Sequence, residues 1–208
     1  MVNLFPDPLP DYFTGKASTL NSNYYLSDEI GPPGEYIEWF ENIRNAGENE
    51  TITIHINSPG GNLYTAIQFL SVLSESKAKI VMSVEGICAS AATIIFLQGH
   101  QYLISQYSSF MFHNYSGGTF GKGGEMADQI LFEKKWAEVL FKNVYRNFLS
   151  EKEIEAILEG KDLWMTYDQV VNKLEERSKK EIDEATKTFK KSRTSKKNPA
   201  ESINSINK

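Results

Sequence analysis

The stretch that decides the fold is TITIHINSPGG, residues 51–61. Isoleucine occupies every second position of its first part, and threonine or histidine lies between. This period of two predicts a strand over residues 51–57 that is buried on one face. The predicted buried residues are Ile52, Ile54 and Ile56. The strand leads into Pro59-Gly60-Gly61, where the glycines either make a tight turn or bring backbone N–H groups close to a ligand.

Strand and helix patterns alternate on both sides of this stretch. Upstream, a short strand is predicted at residues 24–26 and a helix over 35–46, ending at Gly47. The downstream predictions are a helix over 64–76 with Ile67, Leu70 and Leu73 buried, a strand over 79–84, a helix beginning near Ser90, strands over 101–104 and 109–113, a long helix over 123–148, and helices opened by capping patterns at Ser150 and Thr166. This alternation indicates an α/β fold, and a chain of 208 residues favours one domain.

The composition excludes several classes of protein. With 40% hydrophobic residues the chain can bury a substantial core, but its longest apolar stretches are far shorter than a membrane span. No secretory signal is recognisable at the N-terminus, so a cytoplasmic protein without a membrane partner is expected. One cysteine and three widely separated histidines predict neither an internal disulfide nor a metal site.

Charge divides the chain unevenly. Residues 177–208 contain ten Lys or Arg and four Asp or Glu, a net charge of +6, which leaves −11 on residues 1–176. Basic tails can contact nucleic acid or an acidic partner, but a solvated helix end explains this one more simply, and no nucleic-acid partner is expected. The predicted organisation is a weakly ordered N-terminal arm (1–21), a main folded domain (22–176) and a basic helical or disordered tail (177–208).

Ser90 and His113 are the candidates for nucleophilic chemistry. A serine hydroxyl needs a base within hydrogen-bond reach, and the base needs a group that orients it. Ser90 stands at a strand-to-helix junction among alanines, where it is either a helix N-cap or an exposed nucleophile. His113 ends an apolar strand before a glycine-rich run, whereas His55 fits a half-exposed sheet position and His100 a surface turn.

Two further features surround these candidates. Cys88 lies in an apolar stretch and is interpreted as a buried packing residue rather than a reactive thiol. The Pro59-Gly60-Gly61 loop could supply backbone donors to an oxyanion, and loss of one such donor costs about 10²–10³ in rate. The segment around Ser90 does not match the Gly-x-Ser-x-Gly elbow, which disfavours the α/β hydrolases.

Together, Ser58-Pro59-Gly60-Gly61, Ala89-Ser90 and the strand-end His113 resemble the ClpP family, the proteolytic subunits of the Clp protease. The resemblance is strong from about residue 52 to residue 165. It implies Ser90 as nucleophile, His113 as base and Asp162 as the carboxylate that orients the base. It also implies that the backbone N–H groups of Gly61 and Ala91 form the oxyanion hole.

The same resemblance implies a fold and an assembly. The fold would be the ββα spiral shared with the crotonases, a single domain in which the helix over 123–148 is a handle that packs rings together. A strand over 117–124 would line the substrate channel. The expected assembly is a homo-oligomeric ring, a heptamer or double heptamer, that cleaves peptides and unfolded proteins. It would need no cofactor and could be served by an AAA+ unfoldase such as ClpX, ClpA or ClpC.

Some features differ from the family pattern and leave alternatives open. Asn114-Tyr115 stands where the family usually has Gln-Pro, and the basic tail replaces the closing strand. A catalytically silent ring subunit, a crotonase-type acyl-CoA enzyme and a specialised self-processing or virion-maturation protease therefore remain alternatives. Fluorophosphonate labelling of Ser90 separates the peptidase from the acyl-CoA enzyme.

Overall fold

The computed structural model describes residues 20–195, with side chains to residue 188. All but the last two residues of the predicted arm (1–21), and the end of the predicted tail, lie outside this range. In chain order the elements are β1 (Asn21–Leu26), a 3₁₀ turn (Pro33–Tyr36), α1 (Ile37–Asn45), β2 (Thr51–Ser58), α2 (Leu63–Glu75), β3 (Lys79–Ala89), α3 (Ala91–Phe96), β4 (Gln101–Ile104), β5 (Ser109–Phe112), α4 (Gly123–Val144), α5 (Glu151–Leu158), β6 (Leu163–Thr166) and α6 (Tyr167–Ser195).

The strand that the alternation predicted is β2, which lies at the centre of the first half of the sheet. It pairs in parallel with β1 on one side and β3 on the other. Its three isoleucines are buried, and its other face carries the half-buried Thr51, Thr53 and His55. The α/β prediction is confirmed, and the described residues form a single domain.

Strand β3 changes partner halfway along its length, and this change positions the site. Its first half pairs with β4 from Val81 to Val84, and its second half pairs with β5 from Ile87 to Ala89. Between them the side chain of Asn57 accepts a 3.0 Å hydrogen bond from Ile87 N–H. A Cβ on Gly86 would overlap the same side-chain oxygen, so a larger residue at this bend would displace the Asn57 side chain.

Helix α2 buries only part of the predicted apolar stripe. Leu73 is buried as predicted, but Ile67 and Leu70 are only partly buried. The other buried apolar residues of the helix are Ala66, Phe69 and Val72. Apolar residues surround much of this helix, so periodicity alone could not choose the face. The Phe69 ring decides it by packing on an aromatic cluster of Tyr36, Trp39 and Phe40.

The second half of the chain differs from prediction in three places. Helix α4 ends at Val144 rather than residue 148, and Asn147 follows in the left-handed region at φ 68°. Residues 117–122 form no strand, because nothing in the described chain pairs with them. Strand β6, which was not predicted, pairs antiparallel with β5.

Helix α6 crosses residue 176, where a domain boundary was predicted, without a break. Lys173 forms a 2.9 Å ion pair with Glu153, and Arg177 donates a 3.0 Å hydrogen bond to the Leu97 carbonyl. These contacts dock the first half of α6 on the body of the domain. The domain boundaries themselves stay predictions. None of the helices between residues 20 and 195 is both long and apolar enough to cross a bilayer.

Candidate active site

Ser90 forms a sharp turn between β3 and α3. Its φ of 55° and ψ of −128° are unusual for a residue with a Cβ, and its N–H donates a 2.8 Å bond to the Met111 carbonyl. Although Ser90 stands at the N-cap position, its side chain makes no capping hydrogen bond. The N-cap explanation of this serine is therefore wrong, and the hydroxyl is free for another partner.

That partner is His113, the residue that follows β5. Its Nε2 lies 2.6 Å from Ser90 Oγ. The two side chains are 23 residues apart in sequence and are brought together because the second half of β3 pairs with β5. This is the geometry in which an imidazole can remove a hydroxyl proton.

Asp162 approaches the opposite edge of the imidazole. The β5–β6 pairing sets Phe112 against Leu163, so the residues next to them, His113 and Asp162, become neighbours. Asp162 Oδ1 lies 3.6 Å from His113 Nδ1, longer than a hydrogen bond. The carboxylate is 55% exposed, whereas the histidine is 24% exposed. The arrangement is a serine–histidine pair with a carboxylate beside it but not yet bonded to it.

The glycine loop packs directly behind the nucleophile turn. Gly60 has a φ of +100°, and a Cβ built on it would lie 2.6 Å from the Ser90 Cβ and 2.7 Å from the Ala89 carbonyl oxygen. Glycine is therefore required at this position for both conformation and space. The sequence implied a specific role for Gly61 but none for Gly60. The pair of adjacent glycines was the signal that could have indicated it.

The two predicted oxyanion donors, Gly61 and Ala91, line one pocket with Ser90 and His113. The loop is fixed by Ile30, whose N–H donates to the Gly60 carbonyl at 2.7 Å. Neither the Gly61 nor the Ala91 N–H donates to another group within residues 20–195. Both N–H groups are therefore without an acceptor in the described residues, and their role as oxyanion donors stays a prediction.

The pocket has a volume of about 270 Å³ and a wall of mixed polar and apolar groups. Tyr64 and Trp136 stack across it with ring centroids 5.9 Å apart, and Ile94 contributes from α3. On the other side runs the segment after His113, including Gly117 and Gly118. The pocket beside Ser90 thus combines aromatic and apolar groups with polar ones.

The side chain of Asn114 anchors the segment that follows His113 through two hydrogen bonds. Its Nδ2 donates a 3.2 Å bond to the Leu158 carbonyl at the end of α5, and its Oδ1 accepts from Tyr115 N–H at 2.9 Å. The side chain thereby links the wall of the pocket to α5. Burial, followed by the nearby Glu133 carboxylate, raises the pKa of Tyr115.

The other two histidines have structural partners. His55 bonds to Glu85 and Asn23 on the outer face of the sheet, and the exposed His100 accepts a 3.0 Å bond from Ile80 N–H. These contacts agree with the predicted positions of His55 on the sheet and His100 in a surface turn. Cys88 is fully buried, and burial strongly raises the pKa of its thiol, which is consistent with a packing residue.

Comparison with known proteins gives the family. A Clp protease family model matches residues 40–174. The chain is 29% identical over 124 residues to the "ATP-dependent Clp protease proteolytic subunit 1" of Salinibacter ruber, covering 58% of this chain and 52% of that protein. It is 25% identical over 126 residues to the "ATP-dependent Clp protease proteolytic subunit" of Leuconostoc citreum, covering 58% and 62%. The matches thus span between half and two thirds of these relatives. Because the family model covers well over half of the sequence, the chain belongs to the Clp protease family.

Proposed function

We propose that this chain is a serine endopeptidase that cleaves peptides and unfolded proteins with Ser90, His113 and Asp162. The observation that carries the proposal is the 2.6 Å contact between Ser90 Oγ and His113 Nε2 on a strained turn. If Ser90 bonded only to solvent, its strained backbone conformation would have no functional explanation. Membership of the Clp protease family supports the same reaction.

The proposed mechanism has two halves. His113 Nε2 takes the Ser90 proton as Oγ attacks the peptide carbonyl, and the Gly61 and Ala91 N–H groups bind the oxyanion. The imidazolium then gives its proton to the leaving amine, and an acyl-enzyme remains on Ser90. Water, deprotonated by His113, hydrolyses this ester and restores the serine. Asp162 would stabilise the imidazolium once the 3.6 Å gap closes, as catalytic contacts often tighten when substrate binds.

Ring assembly is part of the proposal. Helix α4 exposes a set of large apolar side chains, each between 53% and 66% accessible. They are Ile130, Leu131, Phe132 and Val139. Exposed apolar side chains of this size favour packing against another protein, here copies of the same chain in a heptamer or double heptamer. The peptidase domain is proposed to span residues 22–176 and to act in the cytoplasm.

A partner ATPase is proposed for folded substrates. The names of both relatives describe an ATP-dependent protease. An AAA+ unfoldase such as ClpX, ClpA or ClpC would supply unfolded chain to the ring, and hydrolysis of short peptides would not require it. The described residues offer no cluster of three metal-ligating side chains, and the mechanism above uses none.

The test combines peptidase activity with assembly mass. We expect the purified full chain to hydrolyse a short fluorogenic peptide without ATP and to have the native mass of seven or fourteen copies. A folded, tagged protein should be degraded only when the unfoldase and ATP are added. A ring that cleaves no peptide would instead support the silent-subunit alternative, and activity by a monomer would contradict the proposed assembly.

A further inference from the structure

The backbone of Ser90 is held in its strained conformation from two sides. Strain of this kind costs about 1–3 kcal/mol and persists only where the surrounding structure over-determines it. On one side, the Ser90 N–H donates to the Met111 carbonyl. On the other side, the Ser90 carbonyl accepts two bonds from Thr93, at 2.9 Å from the backbone N–H and at 2.7 Å from Oγ1.

Thr93 is in turn bonded to Tyr145, and the direction of the bond follows from the proton count. Thr93 Oγ1 lies 2.9 Å from the Tyr145 hydroxyl oxygen. A threonine hydroxyl has one proton, which is already donated to the Ser90 carbonyl, so Tyr145 must be the donor. Both residues are buried, and burial raises the pKa of Tyr145, which keeps its hydroxyl protonated. A directed hydrogen-bond chain thus runs from Tyr145 through Thr93 to the backbone of Ser90.

Tyr145 also contacts the strand that carries the histidine. Its ring meets the Phe112 ring edge-on, with centroids 5.6 Å apart at 83°, and Phe112 immediately precedes His113. It stacks on Phe141 at 5.6 Å and 16°. One buried side chain therefore supports both the turn of the nucleophile and the strand of the base.

We propose that Thr93 and Tyr145 are positioning residues that hold Ser90 in the conformation in which its hydroxyl meets His113. The inference rests on the proposed function, because it assigns these hydroxyls a role in hydrolysis by Ser90. They act through the backbone carbonyl of Ser90. A purely structural pair would affect rate only as far as it affects folding, whereas a positioning pair changes kcat independently of stability.

Four variants separate these roles. Tyr145→Phe keeps the ring contacts and removes one hydroxyl, so kcat for a short peptide should fall about tenfold with KM unchanged. Thr93→Val leaves the Tyr145 hydroxyl buried without its acceptor, so rate and stability should both fall. The double variant Thr93→Val/Tyr145→Phe removes both hydroxyls and should recover stability while kcat stays low. Thr93→Ser keeps the hydrogen-bond chain and should retain the wild-type kcat.

Each outcome has a clear meaning when kcat, KM and thermal unfolding are measured on the full chain. A low kcat in the double variant despite recovered stability, together with activity in Thr93→Ser, supports the proposal. Wild-type kcat in Tyr145→Phe and the double variant overturns it, as does a kcat that recovers in parallel with stability. A wild-type chain that hydrolyses no peptide and takes no fluorophosphonate on Ser90 overturns the proposed function together with this inference. An active wild type with unaffected variants overturns the inference alone.

Discussion

Replacing Ser90 with alanine is expected to lower peptide hydrolysis by about 10⁶-fold, close to the uncatalysed background. The change removes the oxygen that lies 2.6 Å from His113 and leaves the imidazole without a proton to accept. The small alanines on both sides of Ser90 and the buried turn should keep the fold intact. The measurement is kcat/KM on a fluorogenic peptide, with native mass recorded for the same preparation.

Ser71→Ala is the matched control for this prediction. Its hydroxyl bonds only to its own helix, at Ile67, and lies on an exposed face away from the pocket. The control should keep wild-type activity. Unchanged hydrolysis by Ser90→Ala would exclude this serine as the nucleophile and favour chemistry of the crotonase type.

Replacing Gly60 with alanine is expected to reduce kcat/KM by at least about 10²-fold, because displacement of a reacting group by about 1 Å has that effect. The new methyl group would lie 2.6 Å from the Ser90 Cβ, so the nucleophile turn or the glycine loop must move. The φ of +100° adds strain for any residue with a side chain. Overpacking and strain together should lower the free energy of unfolding by about 3 kcal/mol. Urea unfolding and peptide kinetics on one preparation measure both effects.

Gly34→Ala provides the comparison for the glycine prediction. Gly34 is exposed in the 3₁₀ turn, and a Cβ there would meet nothing within 4 Å. This control should retain both activity and stability. If Gly60→Ala retained activity and stability as Gly34→Ala does, the glycine loop would not hold the nucleophile turn in place.

The elements that could be predicted are those with an unambiguous local signal. Strict alternation identified β2, and the capping box of Ser150 and Glu153 opened α5 as expected. Helix α2 was predicted, but of its three predicted core residues only Leu73 is buried, since its apolar residues form no single stripe and the Phe69 ring decides its buried face. Strand β6 was missed because its four residues follow no clear alternation and depend on pairing with β5.

The candidate site shows the same division between local and long-range information. The resemblance to the ClpP family implied a triad of Ser90, His113 and Asp162, and the structure brings all three side chains together; their catalytic roles stay predictions. Sequence could not foresee that Asp162 stands 3.6 Å from the imidazole, because that distance depends on the β5–β6 pairing. The hydrogen bond between Thr93 and Tyr145 joins residues 52 positions apart and carries no local signal.

The most direct measurement of the central claim, that His113 activates Ser90 as a nucleophile, is the site of modification by a fluorophosphonate. Treatment of the native full chain, followed by peptide mapping with mass spectrometry, should find one adduct per chain, on Ser90, and none after denaturation before treatment. An adduct on another residue, or an unmodified Ser90 in a preparation that hydrolyses peptides, would contradict the account.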